Sequence, residues 1–221
     1  MVMVGYSLGV RTITPHAGSE VLTKALIILG SSSVARRKIL SEMGYEFTKM
    51  TADIDEKSIR KETPEELVMA LAEAKANAII SKLQTTSNQE RVDEPMILIA
   101  ADTVVVYDGV VREKPSSKEE AQQFLKDYSG GHAATVSSVL VTNLKTGFRK
   151  GEWDRVDIYF NEIPDEIIEK LVDEGVTLNV AGGLLIEHPS ILPFVREVVG
   201  TTDSVMGLPK AVTERLLKEA M

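Results

Sequence analysis

A few charged residues stand where solvation alone does not explain them. Asp102 lies inside ILIAADTVVV (97–106), an almost unbroken apolar run. An unpaired carboxylate in such a run is costly, so Asp102 needs a cation, a metal or strong hydrogen bonds. Carboxylates at strand ends of α/β folds often face a ligand crevice. The plainer alternative is a strand-end aspartate satisfied by backbone. Lys75 follows Val68, Leu71 and Ala72 by seven, four and three residues, and Ile79 continues their series. That spacing puts Lys75 on the apolar stripe of a helix. It is either a lysine snorkelling at the core edge or a cation aimed inward.

The stretch LIILGSSSVARRKIL (26–40) raises the complementary question. An apolar strand ends in glycine and three serines, and the helix that follows opens with Arg36, Arg37 and Lys38. Helix N-termini carry partial positive charge and favour Asp or Glu. Three cations there suggest that an anion belongs in the gap. Backbone N–H groups, serine hydroxyls and a bidentate arginine would cradle a phosphate. Of the three cations, Arg36 is the one expected to point inward. Serines before a helix are also ordinary N-caps. Lys114-Pro115 offers a further stiffened lysine, and Asp53-Ile54-Asp55-Glu56 a cluster of acids that either holds a divalent ion or is solvated. Taken together, Arg36, Lys75 and Lys114 suit phosphates, and Asp102 with Glu56 suits a metal and water. Polyphosphate chemistry needs such parts.

Composition narrows the choices. The chain has 221 residues, 43% of them hydrophobic, enough for one sizeable core. Its net charge of −8 argues against nucleic acid or an anionic membrane as partner, so an anionic ligand needs a local basic pocket. There is no cysteine, which excludes disulfides and thiolate metal sites. His16, His132 and His188 are scattered, so any metal is expected to be hard and oxygen-bound. No apolar run reaches the roughly 18 residues of a membrane span. Residues 1–24 read as a flexible N-terminal extension, with a faint likeness to a transit peptide in Arg11 and its hydroxyl residues. The expected location is the cytoplasm.

The elements that must position these residues follow from pattern. Strands are expected over 25–30, 45–51, 96–106, 110–113, 134–143 and 153–160. Helices are expected over 32–44, 63–83, 117–128, 165–174 and 209–220, and a polar loop over 85–94. Thr63-Pro64-Glu65-Glu66 supplies a cap, a proline at the first helical position and early acids. Tyr107-Asp108-Gly109 marks a hairpin. Imperfect alternation with a hairpin included predicts an α/β fold: a mixed, twisted sheet with flanking helices.

The motifs GSSSVARRKIL, IDE (54–56), LAxxKA (71–76), AADTVV, EKP (113–115), SGGH, AGG and VMGLP, in this order, resemble the Maf (septum-formation inhibitor-like) family of nucleotide pyrophosphatases. The resemblance covers Leu26 to the C-terminus. It implies an elongated two-lobed α/β fold with a cleft, related to the inosine-triphosphate pyrophosphatases. It implies hydrolysis of nucleoside triphosphates to monophosphate and pyrophosphate with a divalent ion (Mg²⁺, Mn²⁺ or Co²⁺), and a homodimer. By position, Asp102 matches the family's proton acceptor, and Arg36, Lys75 and Lys114 its phosphate-binding residues. Glu56 matches its acidic site residue, a metal ligand together with Asp102. Ser31 or Ser33 would lie at the phosphate loop.

Departures bear on the base. Family members preferring dTTP and UTP typically carry SPRR, DT and a late glutamine. Those preferring 7-methyl-GTP carry SPWR, DQ and a glutamate. Here Ala35 fills the discriminating first position, Thr103 matches the first branch, and Glu187 matches the second. His188 replaces a usual glycine, and Ala74 a frequent glutamate. These departures motivate a second expectation, a nucleotide-binding regulator of cell division with little catalysis. A kinase or phosphatase is disfavoured by the lack of a GxxxxGK[ST] loop and of cysteine.

Overall fold

Strand β1 (Leu26–Gly30) is apolar because it is central: it pairs in parallel with β2 (Phe47–Lys49) on one side and β3 (Met96–Tyr107) on the other. The computed structural model describes residues 25–86 and 96–221. Between β1 and β2 runs α1 (Val34–Glu42), and between β2 and β3 runs α2 (Pro64–Thr86). The two helices lie on opposite faces of the sheet. Ile39 and Leu40 of α1 pack with Ile27, Leu29, Ile97 and Ile99, whereas Ala72, Ala76 and Ile79 of α2 pack with the alternate residues Ile28, Leu98 and Ala100. Period-two alternation along a strand makes this sorting unavoidable. The strand order β2-β1-β3 therefore reverses direction at β1, and in open α/β sheets it is at such a point, outside the carboxyl ends of the strands, that a ligand crevice is expected.

Past Ala100, β3 outruns β1 and continues as part of an antiparallel sheet. It pairs with β4 (Val110–Arg112) and β5 (His132–Asn143). Then β5 pairs with β6 (Arg149–Phe160), and β6 with β7 (Val195–Val199), giving a seven-stranded mixed sheet. The N-terminal part of α2 extends over this half, where Leu67, Val68 and Leu71 meet Val104, Val106, Ala134 and Val136. On the opposite face lie α3 (Lys118–Tyr128) and α4 (Asp165–Asp173), joined to Val105, Val156, Ile158 and Phe160 in one cluster. The short α5 (Thr202–Val205) and α6 (Lys210–Ala220) complete that face, α6 beside α1.

The mixed α/β sheet with flanking helices is as expected. Boundaries differ in instructive ways. The strand expected over 45–51 shrinks to three residues, because only Phe47–Lys49 find a partner in β1. The strand expected to open at Trp153 opens at Arg149, since pairing with Thr142, not burial, recruits the polar stretch before it. Likewise β5 starts at His132, two residues early, opposite Tyr159. The helix expected to open at Ser32 opens at Val34, with Ser33 as its N-cap. Strand β7 and helix α5 lie outside the elements the pattern predicts. Of the polar loop over 85–94, Thr85 belongs to α2, as does Thr86 before it ends, and 87–94 lie outside the described residues. So does the N-terminal extension, residues 1–24.

Candidate active site

The crevice end of β3 carries Ala101, Asp102 and Thr103, and their alternation sends neighbouring side chains to opposite faces. Asp102 points to the α2 face. There Lys75, on the buried stripe of α2, brings Nζ to 2.5 Å from Asp102 Oδ1. The same Nζ is 3.0 Å from Glu56 Oε1, on a 3₁₀ turn (Glu56–Ser58) that precedes α2. One lysine thus joins two carboxylates from distant segments. Asp102 is 6% exposed, and Glu56 stands at the solvent side with half its side chain exposed. Burial pushes the Asp102 carboxyl above the ordinary aspartate range, while Lys75 and then Arg36 pull it back. The cation that Asp102 demands is Lys75, held 27 residues earlier in the chain. Asp55, by contrast, caps its own turn by accepting from Lys57 N–H, so the acids of that loop divide their work.

Arg36 approaches from the other face. It leaves the first turn of α1 and is 9% exposed. Its guanidinium donates through Nε to Gly207 O (2.8 Å), through Nη1 to Ala101 O (2.9 Å) and Ser31 Oγ (3.2 Å), and through Nη2 to Thr103 Oγ1 (2.9 Å). Ala101 O is a strand carbonyl left without a β1 partner once β1 has ended at Gly30. Arg36 therefore caps the exposed edge of β3 where β1 stops. Burial lowers its affinity for a proton, and the charges of Asp102 and Glu56 oppose this. The expectation that this arginine turns inward holds. The close approach of Gly207 is required: φ is +95°, and a Cβ there would lie 2.6 Å from Thr103 Oγ1 and 3.1 Å from Arg36 Nε.

The serines have distinct tasks. Ser33 Oγ accepts from Arg36 N–H as the cap of α1, and Ser31 Oγ accepts from both Ser33 N–H and Arg36. Two further serines had no signal in the sequence. Ser137 and Ser138 are adjacent on β5, fully buried, and face opposite ways. Ser138 accepts from Asp102 N–H at 3.3 Å and donates to Val68 O of α2 at 2.7 Å. Ser137 lies 2.9 Å from Thr103 Oγ1 and donates to Ser204 O. Each thus supports one of the two charged centres.

The remaining expected residues lie apart from this cluster's hydrogen bonds. Lys114 is exposed just after β4, and its neighbour Glu113 pairs with Arg60 at 3.1 Å. Glu187 is exposed in the loop after the turn Ala181–Gly183. That turn is fastened to the antiparallel half of the sheet: Gly182 N–H donates to Glu113 O, and Tyr128 O–H donates to Gly182 O. His188 bends the following loop by accepting from Ser190 N–H and pairing with Glu174.

The described residues contain no group of three or more Asp, Glu or His placed to hold a metal. Glu56 and Asp102 supply two carboxylates, and Lys75 Nζ lies against both. Mg²⁺-like ions use one or two carboxylates together with phosphate oxygens and water.

This geometry can be set beside known proteins. The family model described as Maf-like protein matches residues 26–220, from the first residue of β1 to the last of α6. The chain belongs to the Maf family. Among its Maf relatives, the 7-methyl-GTP pyrophosphatase of Dictyostelium discoideum is 36% identical over 198 residues, spanning 90% of this chain and 98% of the relative. The dTTP/UTP pyrophosphatase of Alkaliphilus metalliredigens is 30% identical, over 83% of this chain and 90% of the relative. The nucleoside triphosphate pyrophosphatase of a Synechococcus strain is 31% identical, over 87% and 93%.

Proposed function

We propose that this Maf chain hydrolyses nucleoside triphosphates to nucleoside monophosphate and pyrophosphate. The observation that carries the reading is the buried Asp102, paired with Lys75 and through it with the half-exposed Glu56, close to Arg36 at the point where the strand order reverses. The pyrophosphatase names of its relatives support the same activity.

In this reading the triphosphate lies across the Ser31–Ser33 loop. Asp102 takes a proton from a water that attacks the α-phosphorus. The bond from that phosphorus to the bridging oxygen breaks, and pyrophosphate leaves. Lys75, Lys114 and the Arg36 N–H left without an acceptor among the described residues hold phosphate oxygens, so charge is met as it develops on the leaving group. A divalent ion bound at Glu56 and Asp102 would supply Lewis-acid neutralisation of the phosphates. Most of the rate gain comes from positioning and fixed charge.

The base remains a proposal of its own. Glu187 can accept from a purine N–H edge or face a cationic methylated base. We propose that the chain acts in the cytoplasm, and as a homodimer, the latter supported by the family resemblance. No helix among the described residues is long and apolar enough to cross a membrane.

The test is a panel of common, methylated and deoxy triphosphates with Mg²⁺ or Mn²⁺, products resolved by chromatography. Monophosphate and pyrophosphate are expected. Asp102→Asn should lose about 10²–10⁴-fold in kcat. Tight nucleotide binding without turnover would replace this reading with a non-catalytic regulator.

A further inference from the structure

One edge of β3 changes partner partway along. It pairs with β1 as far as Ala100 and with β4 from Val105 onward, while β5 fills the other edge from Ile97 to Val106. Ala101 to Val104, with Asp102 among them, have no strand beside them on the first edge among the described residues. Glu56 comes from the segment after β2, on the β1 side of this gap, and Lys114 from the end of β4, on the other. An ion pair joins the two sides: Arg60 Nη1 lies 3.1 Å from Glu113 Oε1. Ile59, next to Arg60, packs into the apolar cluster of Val104, Val111 and α2, which puts this junction on the α2 face, where Asp102 points.

Both ends of the pair are anchored. The same Arg60 nitrogen donates to Ile59 O at 2.9 Å and to Glu56 O at 3.4 Å, so the guanidinium folds back on the turn that carries Glu56. Glu113 O accepts from Gly182 N–H at 2.9 Å, and Pro115 restricts the backbone of Lys114. We propose that Arg60 and Glu113 are positioning residues, and that their ion pair is a strap across the gap that sets the spacing of Glu56 and Lys114. The inference rests on the proposed triphosphate chemistry, in which Glu56 faces the metal and Lys114 the phosphates. The two side chains are 56% and 43% exposed, so the pair adds little to stability, and its consequence is where it places its neighbours. A strap of this kind serves bound substrate and transition state alike, and so acts on KM and not on kcat.

The variants that test this are Arg60→Gln, Glu113→Gln, the two combined, and the exchange of Arg60→Glu with Glu113→Arg. KM and kcat are measured across the triphosphate panel, and binding of inorganic pyrophosphate with Mg²⁺ by calorimetry. Each single variant should raise KM and weaken pyrophosphate binding by about two- to fivefold, the scale of an exposed ion pair, with kcat unchanged and one common factor for every base. The combined Gln variant should lose no more than a single one, since both break the same contact. The exchange should restore wild-type values. In roughly 1 M salt, where the screening length falls to about 3 Å, single variants and wild type should converge. Unchanged KM in both single variants, additive losses in the combined one, or no recovery in the exchange would overturn the inference alone, because wild-type turnover would still uphold the proposed function. A wild-type chain that cleaves no triphosphate would overturn the proposed function and this inference with it.

Discussion

Asp102 is buried, and that has a pH signature. Burial favours the protonated acid, so its pKa lies above the ordinary value of about 3.9 even with Lys75 and Arg36 opposing. A general base must be ionised, so kcat/KM should fall as pH drops through this raised pKa. The acid limb of the pH–rate profile should therefore lie above the usual aspartate range, and a limb within that range would contradict the assignment. Stability runs the other way. A raised acid stabilises the fold below its unfolded pKa, and the contribution is lost as pH rises through the folded value. Asp102→Asn should accordingly retain or raise the melting temperature while removing turnover. At this scale the sequence was partly legible. An acid inside ILIAADTVVV demanded a partner, but only the fold names Lys75 as that partner. Ser137 and Ser138 had no signal, because a serine within a strand follows no hydrophobic period.

Two turns each make a prediction, one beside Arg36 and one fastened by Tyr128. Gly207→Ala would place a Cβ against Thr103 and Arg36 in a left-handed backbone, at a cost of about 1–3 kcal/mol. The expected outcome is a lower melting temperature together with weakened pyrophosphate binding, since the guanidinium must shift. Tyr128 fastens the Ala181–Gly183 turn through its hydroxyl, which burial keeps protonated by pushing its pKa up to about 12. Tyr128→Phe should lose about 1 kcal/mol of stability, read by denaturant unfolding, and leave pyrophosphate binding intact. Elements with a strong period were legible: α2 through its stripe and caps, and the hairpin through Asp108-Gly109. Strand β7 was not. It is a short edge strand, Val-Arg-Glu-Val-Val, mostly uncovered, and only its pairing with β6 makes it a strand.

Across the whole molecule, the site depends on where two crossovers part. Helix α1 goes to one face and brings Arg36, and α2 goes to the other and brings Lys75. Asp102 and Thr103 stand back to back between them on the one strand that outruns β1. The α/β class followed from alternating patterns, but the reversal at β1 needed the pairing order. The family match begins at residue 26, where β1 begins. Deleting residues 1–24 should therefore leave kcat/KM for a triphosphate unchanged, and a large loss would show that the extension takes part in catalysis.

The most direct test is hydrolysis of a nucleoside triphosphate in water labelled with heavy oxygen, followed by mass spectrometry of both products, for wild type and Asp102→Asn. The expected result is label in the monophosphate, unlabelled pyrophosphate, and loss of both products in the variant. Label in pyrophosphate, release of orthophosphate as the first product, or undiminished turnover without the Asp102 carboxylate would contradict attack at the α-phosphorus by an Asp102-activated water.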